Sequence, residues 1–349
     1  MSWDKIPTDL SNLRVTQDNT DSGTGRLVSY RDAIRDALRL ALKKDGDVFL
    51  FGEGIDDPTG VFGTTTGLQK EFGKQRVFDT PICENALTGI GIGASLAGLK
   101  PVLIHMRTDF MIISMDQLIN HAAKWKYMFG GKKPVSLVVR AIIGGGWGSA
   151  AQHSQPIQAL FAHVPGLKVV MPATAYDAKG LLLASIFSQS PVIFIEHRWL
   201  YDHKDQVPAG PYFIPLGKGI VRKEGKDITL IADSFMVALA MEASKELSRE
   251  GIGAEVIDLR TIKPIDKELI LNSVKKTKRA MVLDFGYEFC GISSEIAAFV
   301  NEKLFGCLKA PVVRVGLPDI PTPASPILEK LYYPNKDGII TAIKGVLHG

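Results

Sequence analysis

The chain has 349 residues, 46% of them hydrophobic and 22% charged, proportions that exclude a disordered tail, a collagen-like fibre and a charge-driven scaffold. Its 41 basic and 37 acidic residues leave a net charge of +4 without a dense basic run, which excludes nucleic acid as the main partner. Three cysteines (Cys83, Cys290, Cys307) lack the spacing of a disulfide framework or zinc site, and neither a signal segment nor an apolar run of about 18 residues occurs, so a soluble cytoplasmic protein is expected.

Residues 1–26 are polar, without apolar periodicity, and read as an arm. Ser29 can cap a helix whose residues Ile34, Ala37, Leu38, Ala41 and Leu42 share one face. Val48 to Phe51 is a short apolar run of the kind found in strands buried on both faces. Helices are predicted over 84–97, 116–129 and 177–187, and strands over 102–105, 135–140, 169–170 and 192–195. Residues 206–227, rich in Pro and Gly, read as a linker. Beyond it strands at 228–232, 254–259, 280–284 and 312–315 alternate with helices at 236–250, 267–275 and 294–304. Such alternation predicts two α/β domains with mostly parallel sheets, spanning 27–205 and 228–349.

Several constellations could carry chemistry. Gly89, Gly91 and Gly93 superficially resemble a dinucleotide-binding pattern, but they lie inside a predicted helix and read as packing residues. Cys83 has no base beside it in the sequence and reads as a small buried thiol rather than a nucleophile. Glu84 follows Phe78-Asp-Thr-Pro-Ile-Cys83, a strand running into a helix, where a carboxylate suits the helix dipole and is also available for proton work. His153 ends a glycine-dense loop, residues 141–155, that follows a strand. Parallel sheets bind ligands beyond the carboxyl ends of their strands, so a titratable imidazole is well placed there.

The stretch from Ala122 to Gly131, Gly144-Gly-Gly-Trp-Gly148, Gln152-His-Ser-Gln155, Phe161 to Pro172, Asp177 to Leu181, Glu255 to Thr261 and Pro318 to Pro323 together resemble the beta subunit of thiamine-diphosphate-dependent 2-oxo acid dehydrogenases of the pyruvate dehydrogenase type. The resemblance is collinear from Ser29 onward. It implies a transketolase-like fold, with a pyrimidine-binding domain and a smaller transketolase carboxyl-terminal domain. It implies that Glu84 hydrogen-bonds a ring nitrogen of the cofactor's aminopyrimidine, favouring the tautomer that activates the thiazolium carbon. It further implies that His153 handles protons during transfer to a lipoyl group. Phe110 would pack on the aminopyrimidine, Ile82 would line its pocket, and Glu53 would stand near a tunnel between paired sites.

The family holds the diphosphate through a divalent metal at a Gly-Asp-Gly motif, and no such motif occurs in this chain. The resemblance therefore implies an alpha subunit that carries the diphosphate and Mg²⁺ in an α₂β₂ assembly, with a lipoyl acyltransferase as the next partner. Departures from the family pattern fall at Cys83-Glu-Asn85, His105-Met-Arg107 and Phe285 to Ile292. They leave open a split transketolase acting on sugars, an acetoin-type enzyme, or, from another class, a silent binding module.

Overall fold

The computed structural model describes residues 25–146 and 148–348, so the arm read over 1–26 lies almost wholly outside the described residues, as does Trp147. The described chain opens with β1 (Arg26–Ser29) and α1 (Tyr30–Lys44). Ser29 caps α1 by accepting a hydrogen bond from the Asp32 amide at 3.2 Å, and Ile34, Ala37, Leu38, Ala41 and Leu42 all turn inward. There follow β2 (Val48–Gly52), α2 (Leu68–Phe72), β3 (Val77–Asp79), α3 (Glu84–Leu96) and β4 (Lys100–Ile104). The helix expected over 116–129 is instead composite: α4 (Thr108–Met111), a 3₁₀ turn, a π-helical stretch at Gln117–Ala122 and then α5 (Ala123–Met128). Next come β5 (Val138–Ile143), α6 (Gln158–His163), β6 (Lys168–Val170), α7 (Ala175–Ile186), β7 (Val192–His197) and β8 (Lys204–Val207).

Two compact units divide the chain: one takes in 25–142 and 163–216, the other 143–162 and 217–348. In the first, parallel strands run in the order β6-β7-β5-β4-β2-β3. All but the edge strand β3 are covered on both faces, which is why their sequences are apolar runs rather than alternations. Gly91 turns toward Phe51 and Leu137, where a methyl would come within 3.2 and 3.0 Å, so the packing role read for the α3 glycines holds for that one; around Gly93 there is open space. β1 and β8 pair antiparallel as a separate ribbon.

The second unit contains β9 (Ile220–Lys223), β10 (Ile228–Ala232), α8 (Ser234–Arg249), β11 (Ala254–Asp258), β12 (Thr261–Lys263), α9 (Lys267–Thr277), β13 (Ala280–Tyr287), α10 (Ile292–Leu304), β14 (Val313–Leu317), α11 (Pro326–Tyr332) and α12 (Lys336–His348). Its sheet runs β14-β13-β10-β11-β9, parallel except for β9, which lies antiparallel along β11. Within 206–227, therefore, the chain already forms part of a strand ladder. No helix among the described residues is long and apolar enough to cross a membrane.

Candidate active site

In the first unit the ends of neighbouring strands converge. Because β2 lies between β3 and β4, Glu53 at the end of β2, the approach to Glu84 after β3, and His105 at the end of β4 share one edge, the carboxyl edge of the sheet. Glu84 occupies the first position of α3 and is 6% exposed, whereas Pro81, Ile82, Cys83, Asn85 and Ala86 around it are exposed. Cys83 is thus not the buried thiol expected from sequence: it is the residue before α3 and is exposed among the described residues. Ile82 is 77% exposed, and Phe110, in α4, is half-buried.

A buried polar chain links Glu53 to the start of α3. The Thr88 hydroxyl donates to the Glu84 carbonyl at 2.9 Å and stands 3.2 Å from His105 Nε2. On the other side of that ring, Nδ1 is 3.5 Å from Glu53 Oε1, and both of these atoms are buried without a hydrogen-bond partner. Glu53 is accordingly an interior acid facing an imidazole.

Deeper along the same edge, Arg140 of β5 and Glu196 of β7 pair at 2.6 Å with both side chains fully buried. Arg140 Nη2 also donates to the Thr64 hydroxyl at 3.0 Å, and Tyr201 donates to Glu196 Oε2 at 2.8 Å. Burial and the Glu196 charge push the Tyr201 phenol well above its ordinary range, so it stays a donor. The His197 imidazole is pushed down to about 3 by burial, assisted by the Arg107 guanidinium, and is therefore neutral at physiological pH.

A buried glutamate at the opening of a helix, with an exposed Ile82 and a half-buried Phe110 on the same unit, suits a flat, partly apolar heterocycle bearing a ring nitrogen. The residues present fit the aminopyrimidine half of thiamine diphosphate. Among the described residues no group of three or more His, Cys, Asp or Glu is placed to hold a metal ion.

His153 belongs to the second unit, in a single 3₁₀ turn, Ala151–His153, and its side chain is exposed. The loop before it is turned by glycines with positive φ at 144, 146 and 148. The next residue, Ser154, is fully buried, 3.0 Å from the Ser149 hydroxyl. It also faces the Tyr333 hydroxyl, whose phenol burial pushes up to about 12. Fully buried Gln158, at the start of α6, donates from Nε2 to Asp284 Oδ1 at 3.0 Å. Asp284 accepts further bonds from the Gly286 and Ser293 amides at 2.7 and 3.1 Å. Burial and the facing Asp284 carboxylate push the Asp233 carboxyl well above the usual carboxylate range. Burial likewise raises the Asp284 carboxyl, against the bonds it accepts.

Sequence reasoning singled out Glu53, Ile82, Glu84, Phe110 and His153. The first four fall in one unit, and Glu53 connects to the Glu84 turn through His105 and Thr88. Gln158, Asp233, Asp284, Arg140 and Glu196 were not singled out. Each polar group sits within or just after an apolar strand or beside a buried helix turn, a signal that marks them as interior but not as partners.

Comparison with known proteins matches residues 26–204 to the transketolase pyrimidine-binding domain and residues 217–339 to the transketolase carboxyl-terminal domain. The chain is 44% identical over 328 residues to the acetoin:2,6-dichlorophenolindophenol oxidoreductase beta subunit of Bacillus subtilis, an overlap of 90% of this chain and 96% of that subunit. It is 41% identical to the 2-oxoisovalerate dehydrogenase beta subunit of the same organism, covering 91% of this chain and 98% of that one. It is also 41% identical to the pyruvate dehydrogenase E1 beta subunit of Rhizobium meliloti, covering 92% and 70%. A solved split-gene transketolase, described as an inactive β₄ tetramer, superposes with a TM-score of 0.76 at 25% identity, covering 92% of this chain and 98% of that one. The chain belongs to the transketolase-like family of dehydrogenase E1 beta subunits.

Proposed function

We propose that the chain is the beta subunit of a thiamine-diphosphate-dependent 2-oxo acid dehydrogenase acting on pyruvate, with Glu84 and His153 as catalytic residues and Glu53, Ile82 and Phe110 serving the cofactor site. The carrying observation is the buried Glu84 carboxylate at the first turn of α3, in a chain about two-fifths identical to such subunits over most of its length. On this reading residues 27–205 are the pyrimidine-binding domain, 206–227 the linker and 228–349 the carboxyl-terminal domain.

When bound, thiamine diphosphate supplies the electron sink for decarboxylation. Glu84 accepts a hydrogen bond from the pyrimidine ring nitrogen and, through its negative charge, holds a proton there. Phe110 and Ile82 provide apolar surface to the ring. His153, exposed on its turn, is accessible to a lipoyl group arriving from solvent and moves protons during acyl transfer.

The lack of Gly-Asp-Gly supports an alpha subunit that holds the diphosphate and Mg²⁺ in an α₂β₂ assembly. So do the apolar side chains that the first unit leaves uncovered, among them Ile82, Ile90 of α3, Ile113, Tyr127 and Met128. The inactive assembly of the split transketolase's beta chains supports the same view. The purified chain is expected to bind little thiamine diphosphate by calorimetry, and addition of a Gly-Asp-Gly-bearing partner to restore binding. Tight Mg²⁺-dependent binding by this chain alone overturns the claim.

His153→Ala in the assembled enzyme is expected to lower acyl transfer to a lipoyl acceptor by about 10²–10⁴-fold, the usual range for a lost general acid or base. Dye-coupled decarboxylation should be far less affected. Acyl transfer at the wild-type rate would remove His153 from the site.

A second reading, an acetoin-cleaving enzyme, is favoured by identities of 44% and 42% to two acetoin oxidoreductase beta subunits. Pyruvate, 2-oxoisovalerate and acetoin, offered separately to the assembled enzyme with dichlorophenolindophenol as acceptor, distinguish the two: dye reduction with acetoin alone replaces the 2-oxo acid assignment.

A further inference from the structure

Gln152 and His153 are exposed on a short turn that follows a glycine-dense loop. The second unit anchors the chain that follows this turn at two points. Immediately after His153, buried Ser154 lies between the Ser149 hydroxyl and Tyr333. Gly145 makes that approach possible, since a methyl there would come within 2.1 Å of the Tyr333 hydroxyl oxygen. Five residues beyond His153, the Gln158 amide is buried against Asp284 while its own Oε1 has no partner. A side chain needed only to fill space would not bury an unpaired acceptor.

Asp284 is built to receive that amide. One oxygen accepts from the Gly286 amide and Gln158, and the other accepts from the Ser293 amide. The neighbouring Asp233 completes the set. These donors use up the lone pairs of a carboxylate and leave it one orientation. Gly286 leaves room for nothing else: a methyl there would lie 2.8 Å from Gln158 Nε2 and 2.9 Å from Asp284 Oδ1.

We propose that Asp284, held by Asp233 and acting through Gln158, is a positioning residue that locks the 149–158 segment and thereby sets His153 for acyl transfer. This rests on the reading of His153 as the proton-handling residue. It assigns the carboxyl-terminal unit a part in the chemistry rather than in assembly alone.

The test is hydrogen exchange, followed by mass spectrometry, over peptides spanning 144–157 in the reconstituted enzyme, alongside acyl-transfer kinetics. Gln158→Met keeps length and helix propensity but removes the amide. It is expected to speed exchange of that segment about tenfold, the opening equilibrium held by one buried hydrogen bond. It should lower kcat for acyl transfer by a similar factor while KM for the 2-oxo acid stays unchanged. Gly286→Ala breaks the same contact without altering either partner and should reproduce both effects. Asp233→Asn, whose amide can donate to Asp284, should keep wild-type exchange, an outcome that a loss of packing alone would not give. Unchanged exchange in both Gln158→Met and Gly286→Ala overturns the anchor. Accelerated exchange with wild-type acyl transfer in His153→Ala instead overturns the role of His153, and with it the positioning claim.

Discussion

Glu84→Gln is expected to abolish proton exchange at the thiazolium carbon of the assembled enzyme, a loss on the order of 10²–10⁴-fold, while leaving the fold intact. Glutamine keeps the length and the accepting oxygen of glutamate but not its charge, so it can still touch the pyrimidine ring yet cannot hold a proton on it. The cost to folding is small because Glu84 sits in the first helical turn. Exchanging a charge there for a neutral amide forfeits only the dipole term, about 0.3–1 kcal/mol. The signature is therefore a split: a melting curve lowered by no more than about 4 °C and unchanged association with the partner, with exchange of the C2 proton, read by NMR after acid quench, reduced to near the rate of free cofactor. An exchange rate within a few-fold of wild type would remove Glu84 from the catalytic position. A collapse of the melting curve would show instead that its burial serves packing.

Much of this site was legible because its parts are local. Ser29 caps α1 and the apolar faces of 34–42 point inward as the spacing demands, and Val48 to Phe51 is a strand because both its faces are covered. Glu84 stood out since a strand, an X-Pro bond and a helix start follow one another in ten residues of sequence. What escaped depends on contacts between distant residues. Gln158 and Asp284 are 126 positions apart, and no periodicity connects them. Glu53 meets His105 only because β2 pairs with β4, placing Gly52 opposite Ile104, an order that skips over β3. The β1–β8 ribbon joins Arg26 to Val207, and each of its strands is too short and too polar to be read alone. The exposure of Cys83 was misjudged for a related reason: composition predicts that a small thiol is buried on average, but not on which side of a helix start the chain leaves open.

Glu196→Ala should destabilise the first unit by about 3–5 kcal/mol, because it leaves the Arg140 guanidinium buried without its counter-charge. Arg140 Nη1 already lacks a hydrogen-bond partner, so the remaining contact to Thr64 cannot compensate. Tyr201 loses its acceptor in the same substitution and, protonated throughout the working range, has no charged form to fall back on. At about 2–4 °C per kcal/mol for a domain of this size, the melting temperature should fall by roughly 10 °C. The double change Arg140→Met with Glu196→Leu separates charge from shape. Removing both ions at similar volume is expected to recover most of the loss, since desolvation of a buried pair offsets much of its attraction. Recovery should be incomplete, short by the unpaired Tyr201 hydroxyl, about 1–3 kcal/mol, and adding Tyr201→Phe should restore it. A Glu196→Ala variant that melts within a degree or two of wild type would show that the pair contributes no more than one at the surface, and that water reaches Arg140 once the carboxylate is gone.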